Sequence, residues 1–231
     1  MAKIIYYLIK LDHMIKNGKL AYTLFFLIVT AFIFMASKGL AMPQPGDENV
    51  YFYMGKLITE GKVPYRDFFY AHPPLHVYLI ALVYKIFGFN IVALKLIPLV
   101  SALISSFFIF KIAKEKFGNL EATISSLLFM FSYSVMFNSV FSLGIMTATM
   151  LMILGFYFLF NKNNYYLAGL FFGLAGITRL LALIPIFVVL SIMSLSNRKN
   201  FIKLSSAFLI IFLAVNISFI LLFGNDYINA V

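Results

Sequence analysis

GDENVYFYMGKLITEGKVPYRDFFYAHPPLH, residues 46–76, is a polar stretch between very hydrophobic flanks, and it decides how the rest of the chain is interpreted. Its side chains include three acids and two histidines that could do chemistry beside a membrane: Asp47, Glu48, Asp67, His72 and His76. The sequence on either side predicts membrane helices that hold this stretch at a bilayer surface.

Composition places the chain in a membrane. It has 231 residues, 63% of them hydrophobic and 11% charged, with a mean hydropathy of +0.98. A soluble domain of this composition would expose a very large apolar surface. Cysteine is absent, which excludes disulfides and thiolate metal or nucleophile sites. The formal charge of +10 comes from basic residues at the ends of apolar runs, so we expect contact with membrane lipids and no nucleic-acid partner.

Seven apolar runs predict membrane spans, namely residues 20–36, 91–112, 120–137, 140–160, 165–178, 180–195 and 204–223. An eighth run, Leu75–Phe87, reaches only ~20 Å at ~1.5 Å per residue, well short of a hydrocarbon core of ~30 Å. We interpret it as an interfacial or re-entrant helix. Residues 165–195 are long for one span and short for two. Two tilted helices meeting near Arg179 fit the length and the charge, and one long kinked helix is the alternative.

Charge distribution tests this count of spans. With seven spans, one face of the membrane receives eleven of the eighteen lysines and arginines and three of the eight acids. The other face receives the remaining seven basic residues and five acids. The richer face includes the N-terminal arm, which predicts a multi-pass cell-membrane protein with a cytoplasmic N-terminus. The fold class is therefore all-α, a polytopic bundle of about seven transmembrane helices. Residues 1–231 form a single module, with residues 37–90 as an extracytoplasmic loop that contains amphipathic juxtamembrane helices.

The acidic pair Asp47-Glu48 opens a predicted amphipathic helix. Apolar residues recur at helical spacing after it and a glycine follows them: Val50, Tyr53, Met54, Leu57, Ile58 and Gly61. This pattern is typical of a helix lying along a membrane surface. One interpretation makes Asp47 a helix N-cap and Glu48 a first-turn acid matched to the helix dipole. The other gives the pair a function, because more candidate residues follow in the same loop.

The basic and histidine side chains have alternative interpretations as well. Arg179 stands between long apolar runs, where an arginine is costly and is either functional or extends to the membrane interface. His72 and His76 are four residues apart, but Pro73-Pro74 between them disfavours a two-histidine metal face, and we assign no metal site. Lys85 and Lys95 are expected to extend toward lipid headgroups.

Several motifs carry a resemblance: a DE pair after the first span, an amphipathic segment ending in Gly, VPYRDF, HPPL, a short helix ending in FG, and then a spanning helix. In this order they resemble the start of the GT-C superfamily of polyprenyl-phosphate-sugar-dependent glycosyltransferases. That group includes protein O-mannosyltransferases and lipid A aminoarabinose transferases. AGLFFGLAGITRLLAL, residues 168–183, resembles a later segment of bacterial and archaeal members. The resemblance implies a multi-span module whose first outer loop holds the catalytic acid.

Carried over to this chain, the resemblance implies that Asp47 occupies the catalytic base position with Glu48 beside it, and that His72 stands where the family has His or Lys before Pro-Pro-Leu. Two departures are visible. FNSVFSLGIMTA, residues 137–148, lacks an acid that many members carry there, and Asn138 is the nearest polar substitute. The sequence also ends at Val231, where family members continue, so a missing C-terminal domain or partner subunit is one interpretation.

The expected activity is sugar transfer from a polyprenyl-phosphate donor to a hydroxyl of a lipid, glycan or protein acceptor at the extracytoplasmic face. Asp47 would remove the acceptor proton. Arg66, His72 and Arg179 would stabilise the charge that develops on the departing phosphate. No cofactor is assigned, and participation of a divalent cation is left open.

Other mechanisms and functions stay open in the sequence. Glu48 or Asp67 could act as a covalent nucleophile, and His76 and Asn138 are further polar candidates. A degenerate module that binds a lipid-linked sugar without catalysis is the main alternative function. A lipid or solute transporter is a weaker one, because such proteins carry ionisable residues within their spans and these spans contain almost none.

Overall fold

The computed structural model describes residues 18–42 and 45–231, and this part of the chain is built from α-helices. The helices are α1 (Gly18–Leu40), α2 (Asp47–Thr59), α3 (Leu75–Phe87), α4 (Ile91–Lys116), α5 (Asn119–Met130), α6 (Tyr133–Asn138), α7 (Ile145–Phe160), α8 (Tyr165–Gly176), α9 (Leu183–Ser196), α10 (Arg198–Phe223) and α11 (Asn225–Ala230). A 3₁₀ turn, Leu180–Ala182, precedes α9. The predicted N-terminal arm lies almost wholly outside the described residues.

Three of the described helices are long and apolar enough to cross a membrane, namely α1, α4 and α10. Shorter apolar helices stand beside them, formed by Leu75–Phe87, Ile145–Phe160, Tyr165–Gly176 and Leu180–Ser196. Many large apolar side chains of these helices are exposed, as they are on a surface covered by lipid. The fold is therefore an all-α membrane bundle, as predicted, and the count of seven spans stays a prediction for the shorter helices.

The predicted span over residues 120–137 is wrong as a continuous helix. α5 ends at Met130, and α6 begins at Tyr133 after Ser132 accepts a hydrogen bond from the backbone N–H of Val135. Twelve residues span only ~18 Å. The next predicted run, 140–160, becomes helical only at Ile145, because Gly144 before it has a left-handed φ of +80°. Residues 139–144 are left as an irregular loop, here called the inter-helix loop.

Residues 165–195 form two helices that meet at Arg179, as the favoured interpretation predicted. α8 ends at Gly176, and the 3₁₀ turn begins immediately after Arg179, which has extended backbone geometry. The carbonyl of Ile177 in this break accepts a hydrogen bond from the N–H of Leu75 at the start of α3, across 3.2 Å. The break is therefore fixed against the end of the polar stretch 46–76.

Close packing of α8 on α10 depends on glycine. A Cβ at Gly169 would lie 2.3 Å from the backbone oxygen of Leu204, and one at Gly173 would lie 2.8 Å from Cβ of Ile211. Small residues spaced four apart allow helices to approach closely where lipid provides no hydrophobic driving force. α8, which leads to Arg179, is consequently held directly against the backbone of α10.

α2 packs directly on α3. Gly55 is the contact point, since a Cβ there would lie 2.5 Å from Cγ2 of Ile80. The apolar face predicted for this helix is only partly buried, with Val50 49% and Tyr53 59% exposed, while Tyr51 and Phe52 are buried with the loop aromatics. α2 thus contacts protein on one side and exposes apolar side chains on the other, as expected of a helix at a membrane surface.

Candidate active site

Asp47 is the first residue of α2 and is exposed. Gly46, with a φ of +129°, is the N-cap, and no side chain caps the helix, so Asp47 does not have the capping role that one interpretation gave it. Within residues 18–42 and 45–231 its carboxylate makes no hydrogen bond or ion pair. Its carboxylate oxygens are therefore accessible to a bound molecule.

Glu48 lies in different surroundings. Its side chain is fully buried, and Oε1 lies 2.9 Å from Nζ of Lys95, which is also fully buried. Oε2 accepts a hydrogen bond of 3.0 Å from the backbone N–H of Ser142 in the inter-helix loop. The expectation that Lys95 extends toward lipid headgroups is wrong, because its ammonium group pairs with Glu48 inside the protein. Both oxygens of Glu48 are used by the fold, so this carboxylate is poorly placed to touch a substrate.

Arg179 contacts His72 directly. Nη1 donates a hydrogen bond to Nε2 of His72 across 2.7 Å, and Nη2 donates to the carbonyl oxygen of Leu143 in the inter-helix loop. Both acceptors are neutral, so these contacts orient the guanidinium without cancelling its charge. The half-buried Arg179 therefore keeps donors and charge for an anionic ligand.

His72 is uncharged at neutral pH. Burial and the neighbouring Arg179 cation lower the pKa of His72 to about 4, with Asp47 acting in the opposite direction. A neutral imidazole can accept the hydrogen bond from Arg179 through Nε2. His72 therefore accepts a hydrogen bond that orients Arg179, and its expected contact with the donor phosphate stays a prediction.

Tyr51 is a site residue that the sequence did not single out. It lies one turn after Asp47 on α2, and its hydroxyl is 3.0 Å from Nε2 of His72. Burial raises its pKa above the ordinary value, and Arg179 opposes this shift, so the phenol stays protonated at neutral pH. Tyr51, His72 and Arg179 consequently form one group beside the start of α2, where Asp47 lies one turn before Tyr51.

The inter-helix loop joins this group through backbone atoms. The carbonyl of Ser142 lies 3.1 Å from Nε2 of the buried His76, while its N–H contacts Glu48. Gly144 lies against the same ring, and a Cβ there would be 2.8 Å from Cγ of His76. His72 and His76 thus bind different partners, Arg179 and the inter-helix loop. No side-chain signal in the sequence predicts contacts that backbone groups make.

Arg66 and Asp67 contact each other rather than His72 or Arg179. Nε of Arg66 is 3.0 Å from Oδ1 of Asp67, and the N–H of Val63 donates to Oδ2 at 2.8 Å. These hydrogen bonds lower the pKa of Asp67 to about 2. Both side chains line a small cleft beside α11, and the link to the group around Arg179 is the hydroxyl of Tyr65, which donates to the carbonyl of His72.

Asn138 is also separate from this group. Its Nδ2 donates to the carbonyl of Ser134 within α6, a contact that completes the local helix turn. Among the described residues it makes no hydrogen bond to Asp47, His72 or Arg179. The structure therefore brings together the candidates at 48, 72, 76 and 179 through direct contacts or shared partners, with Asp47 directly before Glu48 in the chain. It leaves Arg66, Asp67 and Asn138 outside.

An apolar groove of about 470 Å³ ends at Arg179. α7 forms one wall, and the 3₁₀ turn with the start of α9 forms the other. Its lining includes the apolar side chains of Ile145, Met152, Phe156, Leu181 and Pro185, and Arg179 is its charged member. The groove can hold a hydrocarbon chain while the guanidinium contacts an anionic head.

Comparison with known proteins gives one match. A family model described as dolichyl-phosphate-mannose-protein mannosyltransferase matches residues 71–222. This range includes His72 and Arg179 and covers more than half of the chain. No curated protein and no solved structure matches the chain.

Proposed function

Because the chain belongs to the dolichyl-phosphate-mannose-protein mannosyltransferase family, a group of membrane glycosyltransferases, we propose that it transfers a sugar from a polyprenyl-phosphate donor to an acceptor hydroxyl at the extracytoplasmic membrane face. One observation carries the proposal: the apolar groove ends at an arginine held by neutral acceptors. A lipid-linked donor has the matching chemistry, a long apolar tail joined to a phosphate.

The donor would bind with the first part of its tail in the groove between α7 and α9. Apolar walls with a few converging polar groups are typical of ligand sites. The phosphate would lie against Arg179, whose hydrogen bonds to His72 and Leu143 hold the guanidinium in place before the ligand arrives. A donor group fixed in advance costs no reorganisation when charge develops on the phosphate oxygen.

Asp47 would act as the general base. As the acceptor hydroxyl attacks the anomeric carbon, its proton passes to the Asp47 carboxylate, and the bond from the anomeric carbon to the phosphate oxygen breaks. The electron pair of that bond leaves with the polyprenyl phosphate, whose charge Arg179 stabilises. Attack from the side opposite the phosphate inverts the anomeric centre. In this mechanism Glu48 supports the fold and makes no covalent bond to the sugar.

A transfer assay tests the proposal. Purified protein in proteoliposomes is supplied with radiolabelled dolichyl-phosphate mannose and with membranes of cells that lack the native copy as the acceptor source. We expect label to move from the lipid fraction into a product that the donor alone does not give. Label that stays bound and unaltered would favour the binding-only alternative, and label that moves across the bilayer unaltered would favour a transporter.

A further inference from the structure

Lys95 lies fully buried near the start of α4, and its ammonium group uses all three of its donors. Nζ is 2.9 Å from Oε1 of Glu48, 2.6 Å from the carbonyl of Met42 and 3.4 Å from the carbonyl of Gly39. Gly39 lies in the last turn of α1, where backbone carbonyls lack helical partners and the helix dipole favours a cation. Lys95 therefore joins the end of α1 to the start of α2.

Glu48 extends this connection to the inter-helix loop. Its second oxygen accepts the N–H of Ser142, and the next carbonyl of that loop, Leu143, accepts from Arg179. A continuous path of hydrogen bonds thus runs from Lys95 through Glu48 to the segment that holds Arg179. Asp47 is the residue directly before Glu48, at the same end of α2.

We propose that Lys95 is a positioning residue for sugar transfer: its ion pair with Glu48 fixes the start of α2, and with it Asp47, relative to Arg179. The proposal rests on the function proposed above. A buried ion pair is retained without large cost only when its remaining donors and acceptors are also satisfied, as they are here. A displacement of about 1 Å at a catalytic group can lower a rate by about a hundredfold, so the alignment has a measurable effect.

Charge-paired variants separate positioning from folding. Lys95→Met leaves Glu48 buried without its cation, whereas Lys95→Met combined with Glu48→Gln removes both charges and keeps an oxygen for the N–H of Ser142. Replacing both partners of a buried pair is often close to neutral for stability, while removing one is strongly destabilising. Lys85→Met is the matched control, because Lys85 is exposed at the end of α3.

The readouts are kcat and KM for dolichyl-phosphate mannose, together with one distance. The chain has no cysteine, so spin labels can be placed specifically at Tyr53→Cys on α2 and Tyr133→Cys on α6, both exposed positions. We expect Lys95→Met to lower kcat at least tenfold and to broaden the distribution of distances between the two labels. The double variant should have a narrower distance distribution than Lys95→Met and should recover kcat. Lys85→Met should change neither.

A Lys95→Met protein with wild-type kcat and an unchanged distance distribution would overturn the proposal. So would a double variant that has the wild-type distance distribution but no more activity than Lys95→Met, because charge pairing would then not explain the loss. If the wild-type protein transfers no sugar from the donor, the proposed function fails, and the distance measurement still decides whether the ion pair holds α2.

Discussion

Arg179 donates a hydrogen bond to Nε2 of His72 across 2.7 Å, joining two residues that are 107 positions apart in the chain. One stands in the break before α9, and the other in the loop before α3. The contact brings the end of the apolar groove to the start of α2, where Asp47 is exposed.

Asp47→Asn should lower transfer by at least about a hundredfold, because an amide cannot accept the acceptor proton. The fold should be preserved, since the Asp47 side chain is exposed and contacts no described residue through a hydrogen bond or ion pair. Initial rates with labelled donor and the melting temperature of the purified protein check both statements. Glu60→Gln, an exposed acid in the same loop, is the control and should keep its rate. Full activity in Asp47→Asn would remove Asp47 from the mechanism.

Arg179→Gln should weaken donor binding. Loss of a hydrogen bond to a charged group costs ~1.5–3 kcal/mol, which corresponds to a rise of ~10- to 100-fold in the dissociation constant. Titration of the protein in nanodiscs with dolichyl-phosphate mannose measures the change without requiring turnover. Arg198→Gln, at the exposed start of α10, should bind like the wild type. Equal affinity in the two variants would exclude Arg179 as the phosphate contact.

His72 should make stability depend on acidity. Its folded-state pKa of about 4 lies below its ordinary value of 6.5, so between these values the unfolded chain binds more protons than the folded one. Stability should therefore fall as the pH drops from 6.5 toward 4 and receive no pH-dependent contribution from His72 above that window. Melting temperatures of the wild type and His72→Gln are measured across pH 4–8. The difference between them should be constant above pH 6.5 and change only below it. Parallel curves would contradict a neutral, buried His72.

Gly169→Ala should destabilise the bundle, because the new Cβ would lie 2.3 Å from the backbone oxygen of Leu204. Overpacking of a close contact costs ~1–3 kcal/mol. Gly18→Ala is the matched control, since within the described part of the chain its Cβ would meet only the end of the Lys114 side chain, at 3.5 Å. Thermal unfolding in detergent compares them. If Gly169→Ala were as stable as Gly18→Ala, the backbone of α10 would have to be able to move away from α8.

Single-cysteine labelling should test the orientation in the membrane. Positive charge predicts that α2 and the α9–α10 connection lie on opposite sides, with α2 outside. A membrane-impermeant maleimide added to intact cells should react with Tyr53→Cys and not with Lys199→Cys, and both should react after lysis. Both positions are exposed in the structure. The reverse pattern of labelling would place Asp47 on the cytoplasmic side.

Features that depend on local sequence were predictable. The bounds of α3 follow from the proline pair before it and Gly88 after it, and the break at Arg179 follows from the length and charge of residues 165–195. The meeting of His72 with Arg179 followed from the predicted topology, which placed both at one face of the membrane.

Other features were not predictable from local residue types. Lys95 resembles any lysine near the end of a membrane helix, and nothing near it indicates that Glu48 is its partner. Arg66 was predicted to contact the donor phosphate because of its charge. In the structure its guanidinium pairs with the carboxylate of the adjacent Asp67. Residues 140–144 of the inter-helix loop were predicted to begin the span 140–160, and the φ of Gly144 breaks that helix.

The inter-helix loop holds Glu48, His76 and Arg179 through the backbone groups of only two residues, Ser142 and Leu143. Peptide groups are the same whatever side chain they carry. Evolution could therefore replace the side chains at these two positions widely without dismantling the site, provided that the path of the chain is kept. Related proteins with the same architecture could then have different residues at these two positions. A search for such proteins should rely on the geometry of the loop.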